Sequence, residues 1–272
     1  MIEALFEYRF LMNAVIASVL AGIVCGIVGT YIVTNRIVFL SGGITHASFG
    51  GLGIAWFLGL NPILGAAVFS VMTALGIEFL TDKTQIRNDS VIGIWWSLGM
   101  AIGIIFIYLT PGYTPNLMSY LFGSILSIEQ FDLILLGILA IFTILFFGLF
   151  YRPIQFISFD AEYLKTHRIP VTLFKYILIS LVALTIVFSI KIAGIILIIS
   201  LLTLPQAIAN LMTNNYRLMM VYSVLFAIGA SLIGIAASWY INIPSGAAII
   251  FALVVVFGLA KIATLIFKRI QP

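Results

Sequence analysis

Long uninterrupted apolar runs recur along the whole chain and constrain its fold more than any other feature. A helix needs ~20 apolar residues to cross the ~30 Å hydrocarbon core of a bilayer, whereas strands of a membrane barrel alternate apolar and polar residues over ~10 positions. The runs cover about 11–34, 44–60, 62–80, 90–109, 131–150, 171–190, 192–212, 218–240 and 246–267. They predict an all-α, polytopic helical membrane protein with eight to nine transmembrane helices, forming one domain over residues 1–272.

The second and third runs, 44–60 and 62–80, are the shortest and are separated only by Asn61 and Pro62. We therefore expect one of these two runs to be broken or re-entrant. A break would leave backbone N–H and C=O groups that require partners inside the protein.

The small fraction of charged residues excludes a water-soluble fold. Only 8% of the residues are charged and 63% are hydrophobic, whereas about a quarter of the residues of a soluble domain are charged. Most of the surface must therefore face lipid. The net charge of +4 does not indicate nucleic-acid binding, because on a membrane protein the placement of basic residues carries the information. With Cys25 as the single cysteine, an intrachain disulfide is impossible.

The basic residues predict the orientation, since cytoplasmic loops hold the excess of lysine and arginine. With 151–170 inside, only Arg9 and Lys191 lie outside. The N-terminus is then outside and the C-terminus cytoplasmic. The basic residues placed on the cytoplasmic side are Arg36, Lys83, Arg87, Arg152, Lys165, Arg168, Lys175, Arg217, Lys261, Lys268 and Arg269.

Two loops stand out by length. The external loop 110–129 contains an apolar stretch that is too short to cross and is expected to dip into the membrane, with an outer gate at Leu121, Phe122, Gly123 and Ser124. The internal loop 152–170 reads as a short helix with Ser158 as its N-cap. So short a helix is marginal alone in water, which favours docking on a partner.

No arrangement of residues indicates an enzyme, because the chain lacks paired intramembrane carboxylates, HExxH and a phosphate-binding glycine loop. An ion-coupled secondary transporter normally carries buried acids or histidines, which are scarce here. His46, near the start of the second run, is the exception. An intramembrane histidine indicates either a metal contact or a side chain hydrogen-bonded to a neighbouring helix. The sequence leaves both open.

Several motifs taken in order resemble the permease subunits of ABC-type manganese, zinc and iron importers. They are GIVGTYIVTNRIVFLSGGITHASFGGLGIA, DSVIGIWWSLGMAIGI, LMSYLFGSIL, FDAEYLKTHRIPV, IAGIILIISLLTLPQAIANLM and IPSGAAII. The resemblance implies a type II ABC importer-like permease in a bacterial cytoplasmic membrane, without ATPase activity or a permanent cofactor. It also implies four kinds of partner: a second permease copy, cytoplasmic ATP-binding subunits, an extracytoplasmic metal-binding protein and the lipid bilayer.

By similarity, residues 158–169 are expected to be the coupling helix that docks on the ATP-binding subunit. The residues assigned to it are Phe159, Asp160, Glu162, Lys165, Ile169 and Pro170. Leu164 and Arg168 stand where relatives carry a small residue and a glycine.

A second departure concerns the cargo. Many relatives begin the second span with an Asp one helical turn before the histidine, and Gly42 stands at that position here. The divalent metal pathway is assigned to His46, with Thr45 and Gln206 as weak oxygen contacts. The alternatives are a different cargo, such as a metal chelate, or, less consistent with the scarcity of buried charge, an ion-coupled secondary transporter.

Overall fold

The computed structural model describes residues 7–84, 86–111, 123 and 128–270. This part of the chain is helical and contains no strand, as its apolar runs predict. Its helices are α1 Arg9–Thr34, α2 Val38–Phe57, α3 Pro62–Lys83, α4 Asn88–Leu109, α5 Gln130–Leu149, α6 Tyr151–Phe159, α7 Ala161–Thr166, α8 Val171–Leu201, α9 Leu204–Met212, α10 Tyr216–Ile241 and α11 Ser245–Ile270.

Within the described residues, eight helices are long and apolar enough to cross a membrane. They are α1 to α5, the part of α8 up to Ile190, α10 and α11. The expected break in the second or third span is wrong. Both α2 and α3 are continuous, and Asn61 caps α3 by accepting hydrogen bonds from the backbone N–H groups of Ile63 and Leu64.

The interruption lies instead in the run 192–212, which is not one spanning helix. Gly194 takes φ 73° and ψ 164° inside α8, a backbone conformation that side chains disfavour. The helix then ends at Leu201, and α9 begins at Leu204 with Pro205 in its first turn, where the missing N–H of proline costs least. The chain therefore folds this run as two short helical pieces.

Contacts divide the chain into two compact units. The first unit contains α1, α5, the end of α8, α9, α10 and α11; the second contains α2, α3, α4, most of α6, α7 and the first part of α8. The prediction of one domain over residues 1–272 stays a prediction.

In the first unit, α1 and α10 pack antiparallel at small residues. A Cβ placed on Gly26 would lie 2.6 Å from the Cα of Val224, and one placed on Gly22 would lie 3.1 Å from the backbone nitrogen of Ile228. Such close approach needs glycine at these positions. The end of α1 and the start of α10 therefore lie on the same side of this unit.

In the second unit, α2 and α4 pack parallel and about equally close. A Cβ on Gly99 would lie 2.5 Å from the Cα of Ala47, and one on Gly103 would lie 2.7 Å from the carbonyl carbon of Phe49. Successive contacts advance along both helices in the same direction, which fixes their register.

Candidate functional site

His46 projects from α2 and is half-buried. Its imidazole lies flat on the indole of Trp96 in α4, with ring centroids 4.2 Å apart and the ring planes 4° from parallel. Among the described residues, neither imidazole nitrogen has a hydrogen-bond partner. The contact with a neighbouring helix at this histidine is therefore a stacked ring. The choice between a metal contact and a side chain hydrogen-bonded to a neighbouring helix stays open.

Thr45 precedes His46 but is fully buried. Its hydroxyl donates to the carbonyl of Ser41 at 2.6 Å, and the hydroxyl of Ser48 donates in turn to the carbonyl of Thr45 at 2.6 Å. These are local bonds within α2. The hydroxyl proton of Thr45 is thus used by its own helix, and its role as an oxygen contact for metal stays a prediction.

Gln206 belongs to the first unit and is fully buried. Its Nε2 donates to the carbonyl of Cys25 at 2.8 Å and to the carbonyl of Leu201 at 3.3 Å. Gly29 leaves room for this amide, because a Cβ there would lie 2.7 Å from the Cδ of Gln206. The side chain ties α1 to the break between α8 and α9, while its Oε1 has no hydrogen-bond partner in the described structure.

The described residues contain no group of three or more His, Cys, Asp or Glu side chains that could hold a metal ion. Thr45 and His46 lie together in the second unit, and Gln206 lies in the first. Their assignment to a metal pathway stays a prediction.

The loop predicted to hold the coupling helix folds as two helices. Ser158 is not the N-cap, because it lies within α6 and its hydroxyl donates to the carbonyl of Ile154 at 3.0 Å. Asp160 caps α7 instead, since its Oδ1 accepts from the backbone N–H of Tyr163 at 3.0 Å. The predicted segment 158–169 thus spans the end of α6, the break at Asp160 and α7.

The residue that follows the end of α7 adopts the left-handed backbone conformation that glycine usually supplies at a helix C-terminus. Arg168 takes φ 58°, and the N–H groups of His167 and Ile169 both donate to the carbonyl of Leu164, at 3.1 and 3.3 Å. Pro170 follows, exposed. The substitution of the expected glycine by arginine therefore leaves the turn intact.

The two helices of this loop present aromatic side chains outward. Phe159 is 67% exposed and Tyr163 45% exposed, and the ring of Tyr163 lies 5.3 Å from that of Phe156. Leu164, which replaces the expected small residue, is buried. Glu162 is exposed, Ile169 is half-buried, and Lys165 lies on α7.

The expected outer gate lies largely outside the described residues. Leu121, Phe122 and Ser124 fall there, and of Gly123 the structure gives a backbone φ of 71°. The gate assignment stays a prediction.

Comparison with known proteins identifies the family. The model of a family described as ABC 3 transport family matches residues 7–264, which is most of the chain. The chain belongs to the ABC 3 transport family.

Relatives of this ABC 3 permease cover nearly its full length. An uncharacterized membrane protein of Synechocystis sp. is 40% identical over 99% of this chain and 94% of its own. The manganese transport system membrane protein MntC of Listeria monocytogenes is 35% identical over 95% of this chain and 92% of its own. The resemblance to metal-importer permeases is confirmed.

A solved structure gives the same result for the fold. A chain of PsaBC from Streptococcus pneumoniae, in complex with a Fab, matches this ABC 3 permease with a TM-score of 0.86 and 30% identity, over 95% of this chain and 93% of that chain. The all-α, importer-like permease fold is confirmed.

Two contacts of this ABC 3 permease escaped sequence reasoning. Trp96 is the stacking partner of His46, although nothing in the motif DSVIGIWWSLGMAIGI pairs it with the second span. Lys175, at the start of α8, lies 3.9 Å from the carboxylate of Glu78 in α3. This ion pair ties the helix that follows α7 to a membrane-spanning neighbour.

Proposed function

We propose that this chain is the membrane-spanning subunit of an ATP-binding-cassette importer that carries a divalent transition metal ion, manganese first and zinc or iron as alternatives, into the cytoplasm. The observation that carries the proposal is the 35% identity to a manganese transport system membrane protein over 95% of the chain.

The energy comes from ATP hydrolysed on separate cytoplasmic subunits. Two copies of the permease work together, and an extracytoplasmic binding protein delivers the metal. The exposed aromatic rings of Phe159 and Tyr163 supply the apolar contact area that an interface needs. α7 docks there on the ATP-binding subunit, with residues 151–170 and the C-terminus cytoplasmic and the N-terminus outside.

The ion pair between Lys175 and Glu78 gives the docked segment a mechanical path. α7 is followed directly by α8, which carries Lys175 in its second turn. Movement of α7 against the ATP-binding subunit is therefore passed to α3 as well as along α8. Conformational coupling, rather than bond chemistry, is the work of this subunit.

Inside the membrane, His46 offers an imidazole nitrogen to the metal. Neutral imidazole binds divalent transition metals well. A single nitrogen donor holds the ion weakly, which suits transport because the ion must leave again.

Uptake by the complete transporter in proteoliposomes tests the proposal. His46→Ala should lower ATP-dependent manganese uptake ~10-fold, the size of effect seen when a group that supports metal binding is lost. The chain has only two histidines, and His167 lies in the segment 158–169 assigned to docking. His167→Ala is therefore a control for the metal contact alone and should leave the apparent KM for metal unchanged, whatever its effect on the maximal rate. Co-purification of the ATP-binding subunits with each permease variant would show that the transporter still assembles.

Other outcomes would reject the proposal. Uptake driven by an ion gradient with the purified chain alone would establish a secondary transporter instead. Uptake of a chelated metal that free manganese, zinc and iron do not inhibit would replace the bare ion with a chelate.

A further inference from the structure

We infer that Trp96 is a positioning residue for the cargo contact at His46, acting by face-to-face stacking in place of a hydrogen bond. The inference rests on the proposed function, since it concerns how His46 meets the metal. It is carried by the stacking geometry of 4.2 Å and 4° and by the helix packing around it.

Two close contacts bracket the stacked pair along α2 and α4. On one side of it, a Cβ on Gly43 would collide with the side chain of Ile92; on the other, a Cβ on Gly99 would lie 2.5 Å from the carbonyl oxygen of Ala47. Helices this close cannot slide past one another without backbone overlap. The two rings are therefore held at the same level by the packing of α2 on α4, through the side chain of Ile92 on one side and the backbone of Ala47 on the other.

Stacking leaves the metal-binding edge of the imidazole free. A nitrogen lone pair lies in the plane of the ring, so an indole on the ring face blocks neither nitrogen of His46. Metal-binding histidines usually donate their second ring nitrogen to a carboxylate or carbonyl, which fixes the ring orientation. Among the described residues His46 has no such acceptor, and the Trp96 indole supplies the orientation.

The same arrangement also sets the strength of binding. A hydrogen-bond acceptor on the second nitrogen raises the basicity of a ligating imidazole, whereas an indole face orients the ring without adding that basicity. Stacking thus orients the imidazole of His46 without raising its basicity, so that its bond to the metal stays weak enough for release of the cargo.

The neighbouring Trp95 offers a matched control. It lies on the same helix but packs against α3, where a Cβ on Gly76 would lie 3.0 Å from its indole Cε2. Replacing it removes a tryptophan from α4 without touching the stack on His46.

The first test measures manganese uptake by the complete transporter in proteoliposomes. Trp96→Leu should raise the apparent KM about 3- to 10-fold with an unchanged maximal rate, the factor that corresponds to the coupling of an aromatic pair. Trp96→Phe keeps a ring face and should recover most of the loss. Trp95→Leu should leave KM unchanged. Equal rises in KM for Trp95→Leu and Trp96→Leu would overturn the inference, because Trp96 would then act only through helix packing.

The second test is spectroscopic and does not depend on transport. Replacing Trp56, Trp95 and Trp239 by Phe leaves Trp96 as the single tryptophan of the permease chain in the assembled transporter. Added Mn²⁺, which is paramagnetic, should quench its fluorescence saturably, and His46→Ala should abolish that quenching; partner tryptophans are subtracted with a Trp96→Phe sample. Quenching that persists in the His46→Ala variant would overturn the inference. This test remains available if Trp96→Leu fails to fold, because it does not use that variant.

The two proposals fail separately. If His46→Ala changes neither uptake nor quenching, the metal contact at His46 is rejected, and the role of Trp96 with it. If His46→Ala lowers uptake but both Trp96 variants behave as wild type, only the positioning role is rejected.

Discussion

α2 and α11 are both long enough to cross a bilayer, yet they are opposites in composition and burial. Of the eight spanning helices α2 is the least hydrophobic, and 78% of its most apolar stretch is buried; α11 is the most hydrophobic, with 11% buried. A soluble protein shows the reverse relation, because there the buried face is the apolar one. Of these two helices the more hydrophobic one is the more exposed, and the buried one carries glycine, serine and threonine among its buried residues.

The comparison shows why polar side chains collect on α2. Helices in lipid gain little from burying more apolar surface, since lipid tails are as apolar as leucine. Close backbone approach holds α2 against its neighbours instead, while its buried hydroxyls donate to carbonyls of their own helix. Three changes probe this difference, and the first two are paired with a control on the exposed helix α11.

Steric change at a glycine contact should have the largest effect on stability. Gly99→Val places side-chain atoms where the backbone of Ala47 already lies, and should lower the free energy of unfolding by about 3 kcal/mol or more. Gly258→Val on α11 meets nothing within 4 Å and should change it by less than about 0.5 kcal/mol. Thermal unfolding in detergent, followed by gel filtration, measures both. Equal losses in Tm would break the contrast between interior and surface helices.

Loss of a hydrogen bond between helices should rank second. Gln206→Leu removes the two donations that tie α1 to the break between α8 and α9, and should cost about 1 to 3 kcal/mol because two buried carbonyl groups lose that donor. On α11, Thr264 donates only to the carbonyl of Ala260 in its own helix. Thr264→Val should therefore be nearly neutral in the same unfolding assay. A neutral Gln206→Leu would show that the bridge adds nothing to stability.

Removal of a local hydroxyl from α2 should have the smallest effect. Ser48→Ala deletes one bond to the carbonyl of Thr45, and hydrogen bonds of side chains within membranes average about 0.6 kcal/mol. The expected fall in unfolding free energy is about 0.5 kcal/mol, measured against wild type in the same detergent. A loss as large as that of Gln206→Leu would mean that this hydroxyl supports more than its own helix.

The length and composition of the apolar runs predicted the spanning helices well, because the ability to cross a membrane is a property of each segment alone. The run 192–212 was misread because its interruption depends on the backbone conformation of Gly194, and glycine is common in membrane helices without breaking them. The N-cap at Ser158 was wrong for a similar reason. Ser158 and Asp160 are both good caps, and the choice between them depends on where α6 ends.

The environment of His46 was out of reach of the sequence. Its partner Trp96 lies on another helix, and their meeting depends on the register that the glycine contacts of α2 and α4 impose. The assignment of Thr45 and Gln206 to the pathway stays a prediction. For both residues the hydrogen-bond donors are already engaged by backbone carbonyls.

The parallel packing of α2 on α4 also bears on how the chain enters the membrane during synthesis. A segment leaves the insertion machinery for lipid according to its own hydrophobicity, and α2 is the weakest of the eight spans by that measure. Its closest partner, α4, begins only at Asn88 and so emerges from the ribosome later. We therefore expect α2 to reside stably in the bilayer only after α4 has been made, and a nascent chain that stops before Asn88 to hold α2 only loosely.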